Sequence, residues 1–105
     1  MPGAAGLAGT QQGSVKILWA TATVDIGSTL TLVSTDSSAI TVTGARLGDP
    51  VILGSGTAFV ANYVWTAFVS AADAVVVRFT NATAGTIDPG SVFFTVGVVQ
   101  LGNAG

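Results

Sequence analysis

Residues 14–26 read SVKILWATATVDI, and the alternation in that run decides the fold class. With a period of two, Val15, Ile17 and Trp19 fall on one side of a strand. Leu18, Ala20, Ala22, Val24 and Ile26 fall on the other. Apolar residues on both sides predict a strand covered on both faces over much of its length. The same period recurs downstream. After a turn at Gly27-Ser28, STLTLVS (28–34) sets Leu30 and Leu32 against Thr29, Thr31 and Val33. Thr35-Asp36-Ser37 reads as a turn whose side chains bond local amides. SAITVTG (38–44) repeats the alternation with Ile40 and Val42 inward, so these two segments are expected to pair as a hairpin.

GARLGDP (44–50) reads as a loop, with Pro50 just before VILG (51–54), where a missing amide donor is tolerated. Gly54-Ser55-Gly56 is the next expected break. AFVANYVWTAFVS (58–70) places Tyr63, Trp65, Ala67 and Val69 on one face and Val64 and Phe68 on the other. AVVVRFT (74–80) opposes Val75, Val77 and Phe79 to Val76, Arg78 and Thr80. NATAGTIDPG (81–90) is a turn-rich connection, and SVFFTVGVVQL (91–101) is a last strand, apolar on both faces. A helix over 58–77 is disfavoured, because Val, Thr and aromatics dominate and no i, i+3, i+4 stripe is present. The expected fold is all-β: an antiparallel β-sandwich of seven to eight short strands, jelly-roll-like, with an immunoglobulin-like strand order as the alternative. Residues 14–105 form the single sandwich domain. Residues 1–13 (MPGAAGLAGTQQG) read as a flexible N-terminal arm, or as one that orders only on a neighbouring subunit.

Composition narrows the function. The chain has 105 residues, half of them hydrophobic and 8% charged, with no His, no Cys and no Glu. Groups that exchange protons, ligate metals or attack electrophiles are nearly absent, so the chain is expected not to be an enzyme and to use no cofactor. Lys16, Arg46 and Arg78 are the only cations, too few for the phosphate contacts of a nucleic-acid binder. No apolar run reaches the length of a membrane span, and no signal peptide is legible in Met1–Gly9. So little charge on a small domain predicts a surface of Thr, Ser and Ala, part of it hidden against other subunits.

Individual motifs favour structural roles. Asp25, Asp36, Asp49, Asp73 and Asp88 stand singly at strand ends or turns, without the spacing of a calcium loop or an acid/base pair. Gly54-Ser55-Gly56-Thr57 lacks the lysine of a phosphate loop. Asn81-Ala82-Thr83 matches the glycosylation sequon, which matters only in a secreted eukaryotic chain. Trp19, Tyr63, Trp65 and Phe68 fit either a sugar-stacking platform or a core, and alternate strand positions favour the core. Arg46 and Arg78 are each expected to pair with an Asp or face an interface. For Arg78, set among Val75, Val76, Val77 and Phe79, exposed solvation is the default expectation, and an Asp on a neighbouring subunit is the alternative.

A further signal lies in the order of segments from Gly44 to Val99. ARLGDPV (45–51) is followed by WTAFVSAAD (65–73), then VVVRFTN (75–81), then Ile87-Asp88-Pro89 before the final strand from Phe93 to Val98. In this order the chain resembles small structural proteins of tailed bacteriophages, the head-decoration (cement) and head-fibre type. The resemblance implies a jelly-roll or immunoglobulin-like domain, usually a homotrimer, on the outer surface of the virion capsid, with the major capsid protein as partner and no catalytic residues. A head-fibre, tail-fibre or spike domain that binds host glycan is the alternative, and a bacterial surface protein a third. Neither nucleic acid nor membrane is an expected partner. The residues expected at an interface are Leu7, Gln11, Gln12, Trp19, Arg46, Trp65 and Arg78.

Overall fold

A computed structural model describes residues 15–101. The expected arm at 1–13, with Leu7, Gln11 and Gln12, lies outside the described residues. The strands are β1 (Val15–Ile26), β2 (Ser34–Asp36), β3 (Ile40–Thr41), β4 (Val51–Ser55), β5 (Tyr63–Ala71), β6 (Ala74–Asn81) and β7 (Gly90–Leu101). All pairings are antiparallel, and among the described residues there is no helix. The expected all-β sandwich is what forms.

Two sheets make it. In the first, β7 is central, with β1 along one flank and β4 along the other. β1 and β7 pair over twelve residues each, from Val15 opposite Leu101 to Ile26 opposite Gly90. In the second, β6 is central, with β5 on one flank and both β2 and β3 on the other. The pairings are nested. The first strand meets the last, the β2–β3 segment meets the penultimate strand, and β4 and β5 meet where the sheets join. This is a long hairpin wound across two sheets, the jelly-roll arrangement. An immunoglobulin order would instead pair the first strand with the second.

The structure corrects several sequence expectations. Residues 28–33 do not form a strand, which begins only at Ser34: Leu32 takes a left-handed backbone (φ +62°), and Leu30 and Leu32 are both exposed. The expected hairpin between 28–34 and 38–44 is absent, because β2 and β3 each pair with β6 and not with one another. Ser37 explains the interruption between them. Its amide donates to Val77 O at 2.8 Å, while its hydroxyl accepts from Val77 N at 3.0 Å, a place in the ladder that a carbonyl would otherwise fill. Gly54 and Ser55 belong to β4, so the break falls at Gly56. The strand at 58–70 begins only at Tyr63. Two of the seven strands run to twelve residues, longer than the short strands expected.

The core follows the inward set of each alternation. Val24, Ile26, Val92, Phe94, Val96 and Val98 of the first sheet bury against Val69, Val75, Val77 and Phe79 of the second, with Ile40 and Val42 at the side. Small residues make room for large ones. Ala22 lies opposite Phe94 across the β1–β7 ladder, and the Trp65 ring sits 4.7 Å from Phe79 and 5.1 Å from Phe94, centroid to centroid.

Candidate interaction surfaces

The two outer faces of the sandwich differ in chemistry. On the second sheet, Ser34 and Thr80 share a hydroxyl hydrogen bond of 2.6 Å. One register step away, Arg78 grips Asp36 with both ends of its fork, Nε to Oδ1 at 2.7 Å and Nη2 to Oδ2 at 3.0 Å. The same guanidinium lies 4.8 Å above the Phe68 ring. The hydrogen bonds from Arg78 hold the Asp36 carboxyl below the usual carboxylate range, and the carboxylate in turn raises Arg78. Arg78 is thus neither merely solvated nor waiting for an Asp on another subunit: the Asp it pairs with is Asp36 of the same chain, directly opposite on the neighbouring strand.

The outer face of the first sheet is mostly apolar and nearly free of charge. Its outward positions are Val15, Ile17, Trp19, Thr21, Thr23 and Asp25 on β1, and Ser91, Phe93, Thr95, Gly97, Val99 and Leu101 on β7. Ile52 and Gly54 complete it on β4. Asp25, at the end far from Val15 and Leu101, is the only charged side chain among them. Trp19 is 60% exposed, and Val15, Ile52, Phe93 and Leu101 are exposed as well. Glycines flatten this surface. A Cβ at Gly97 would lie 2.6 Å from Trp19 Cζ3, so the indole rests on the bare backbone of its cross-strand partner. Phe93 similarly lies beside Gly56, where a Cβ would come within 3.3 Å of its ring. Ile52 flanks Gly97 on the side opposite Trp19, which makes one continuous row across three strands.

A second set of exposed apolar side chains lies in the loops flanking Asn81, at the end of the sandwich remote from Val15 and Leu101. Asn81, fully buried, organises it. Its Nδ2 donates to Thr29 O and Gly85 O, both at 2.8 Å, and its Oδ1 accepts from Thr83 N at 2.8 Å and Thr83 Oγ1 at 2.6 Å. Its backbone ties down the loop before β2, with Leu32 N donating to Asn81 O and Asn81 N to Val33 O. Above this anchor Leu30 and Leu32 point to solvent, Leu32 at 79% exposure. Phe59 and Val60 are exposed on the loop that enters β5 beside Asn81. The sequon asparagine is thus a loop anchor with both amide hydrogens engaged.

The remaining expected site residues divide. Trp65 faces inward between Phe79 and Phe94, which corrects its expected place at an interface. Arg46 is exposed, 3.9 Å from Asp49, and Asp49 holds the 44–50 loop: its Oδ2 accepts from Arg46 N at 3.0 Å and Gln100 Nε2 at 2.8 Å. The hydrogen bond from Gln100 holds the Asp49 carboxyl below its usual range. Asp73 and Asp88 bond the amides of Gly44 and Gly90. Among the described residues no three metal-ligating side chains come together. Periodicity groups Trp19 with Val15 and Ile17 on one face without saying which face is outward, and the core reading favoured for Trp19 is corrected by its exposure. Nor could periodicity reveal Ile52, Phe93 and Gly97 beside them, because cross-strand neighbours are set by strand order and register. Comparison of the chain with protein-family models, with curated proteins and with solved structures finds no match.

Proposed function

We propose that this chain is a structural protein of a bacteriophage virion, a decoration (cement) protein that sits as a homotrimer on the outer surface of the capsid and bridges neighbouring capsomers of the major capsid protein. The observation that carries this is the presence of two separate sets of exposed apolar side chains on one small sandwich, one on a flat sheet face and one in the loops at an end. A bridging protein needs two contact surfaces, one for its own copies and one for the shell, and needs no catalytic group. The resemblance of residues 44–99 to phage head proteins supplies the setting. Such a protein stabilises by mass action: it binds the assembled shell and not the dissociated subunits, so each occupied site raises the cost of disassembly. The test is to strip the protein from purified particles and add it back. Stripped particles should rupture at lower temperature and recover with the purified chain, and unchanged rupture would sink the proposal.

A second function, adhesion to host-surface glycan from a fibre or spike, has one observation in its favour. The exposed indole of Trp19 lies flush with the sheet beside the hydroxyls of Thr21 and Thr95, an arrangement that can stack a sugar ring and bond its rim. A glycan array with bound sugars lost in Trp19→Ala would favour this second function. An empty array would dismiss it.

A further inference from the structure

We infer that the flat outer face of the β1–β7–β4 sheet is covered by a second copy of this chain, with Trp19 and Ile52 of one copy seated on the threonine and glycine row of the next. This rests on reading the chain as a self-assembling structural protein, and it assigns the surface through which the copies meet.

Shape is the first reason. Across the three strands, Trp19, Gly97 and Ile52 form one row, with the indole laid over the bare backbone of Gly97, and Thr21, Thr95 and Gly54 form the next. Rows on one face of a strand repeat every two residues, about 6.6 Å. A flat face built from such rows can lie against another flat sheet face, which is the packing that sheets use inside domains.

Charge is the second reason. From Val15 to Thr23 on β1, and from Phe93 to Leu101 on β7, no outward side chain is charged. A partner selected by electrostatic complementarity has nothing to recognise here. Another copy presents the same charge-free surface, while its Asp36–Arg78 pair lies on the opposite sheet, away from the contact.

Area is the third. The fractional exposures of Val15, Ile17, Trp19, Ile52, Phe93 and Leu101 correspond to roughly 600 Å² of accessible surface, most of it apolar. With the intervening threonines and glycines this approaches the ~800 Å² per partner of a stable interface. It also lies at the upper end of the range for the largest apolar patch of an ordinary monomer, about 300–600 Å². The open flank of β1 continues the surface. β1 has twelve residues and contains no proline, and within the described chain nothing pairs with it on the side away from β7.

The test is the native mass of the full-length chain by light scattering and sedimentation, from micromolar to near-millimolar concentration, for wild type, Trp19→Lys, Ile52→Lys and Val64→Lys. Val64 is exposed on the other sheet and serves as the control. Wild type and Val64→Lys should share a mass of two or more subunits. Trp19→Lys and Ile52→Lys should associate at least about a hundredfold more weakly, since each buries an unpaired ammonium at the centre of the contact. Circular dichroism of each variant checks folding. Should a lysine variant misfold, acrylamide quenching of wild-type Trp19 decides instead, with protection that disappears on dilution as the expected result. A monomeric wild type with freely quenched Trp19 would overturn the inference, as would oligomers indifferent to both lysines. Binding of the same variants to stripped capsids separates the two proposals. A wild-type monomer that still restores the particles overturns this interface and leaves the capsid function standing. An oligomer lost in Trp19→Lys with no capsid binding does the reverse.

Discussion

Trp19 lies on Gly97: residue 97 has no side chain, and the indole of its cross-strand partner occupies the space where a Cβ would be, 2.6 Å from Cζ3 and 2.9 Å from Cε3. The pair lets a bulky aromatic lie level with the sheet. In Gly97→Ala the new methyl would lift the ring. Because the indole is exposed and free to swing, the folding free energy should change by less than about 1 kcal/mol. The near-ultraviolet circular dichroism assigned to Trp19 should nevertheless change, and association through this face should weaken. A crystal structure of Gly97→Ala with the indole unmoved would refute the account of the pair.

The two tryptophans should separate cleanly in mutagenesis. Trp65 packs between Phe79 and Phe94, so Trp65→Ala removes contacts from both sheets and should cost about 3 kcal/mol in urea denaturation. Trp19→Ala should leave the stability of the isolated subunit within about 1 kcal/mol of wild type. Equal losses for the two variants would mean that the outer face contributes to the fold itself.

This contrast marks where sequence reading succeeds. Alternation alone put Trp65 with Tyr63, Ala67 and Val69, and Trp19 with Val15 and Ile17, and both sets hold in the structure. What alternation lacks is the identity of the strand opposite. Without the register of β7 and β4, Gly97 and Ile52 have no visible relation to Trp19, and Asp36 none to Arg78. The loop at 28–33 misleads for a different reason. Its Leu-Thr-Leu alternation mimics a strand, while the backbone is bent by bonds to Asn81, about fifty residues away in sequence and contributed by β6.

Acid should loosen the molecule at two identified points. Asp36, bonded by Arg78, and Asp49, bonded by Gln100, both have carboxyls held below their ordinary values in the folded chain. A depressed folded-state value means that the stabilisation is complete above the unfolded-state value near pH 4 and is lost as pH falls through the lower folded-state value. The melting temperature should therefore decline as pH drops from about 5 toward 2, and decline less in Asp36→Asn with Asp49→Asn. Identical acid profiles for wild type and the double variant would show that neither carboxylate contributes.

The largest single polar contribution should come from Asn81. It is fully buried, and its amide makes four hydrogen bonds, two donated to the carbonyls of Thr29 and Gly85 and two accepted from Thr83. Asn81→Ala keeps the backbone links to Leu32 and Val33 but removes one donor from the Thr29 carbonyl, which keeps Ile87 N, and one from the Gly85 carbonyl, which keeps Thr83 Oγ1, and it leaves Thr83 N without its acceptor. The expected cost is about 2 kcal/mol, from the lost hydrogen bonds, the unmatched Thr83 amide and the space left by a fully buried side chain. Asn81→Asp should be no better at neutral pH, since a carboxylate would aim its oxygens at those same carbonyls. Because the anchor holds the loops that carry Leu30 and Leu32, hydrogen exchange in residues 28–33 and 82–87 should accelerate in both variants, while the β1–β7 ladder keeps its protection. Uniform acceleration across the whole domain would show instead that the anchor belongs to the global fold and not to this one end.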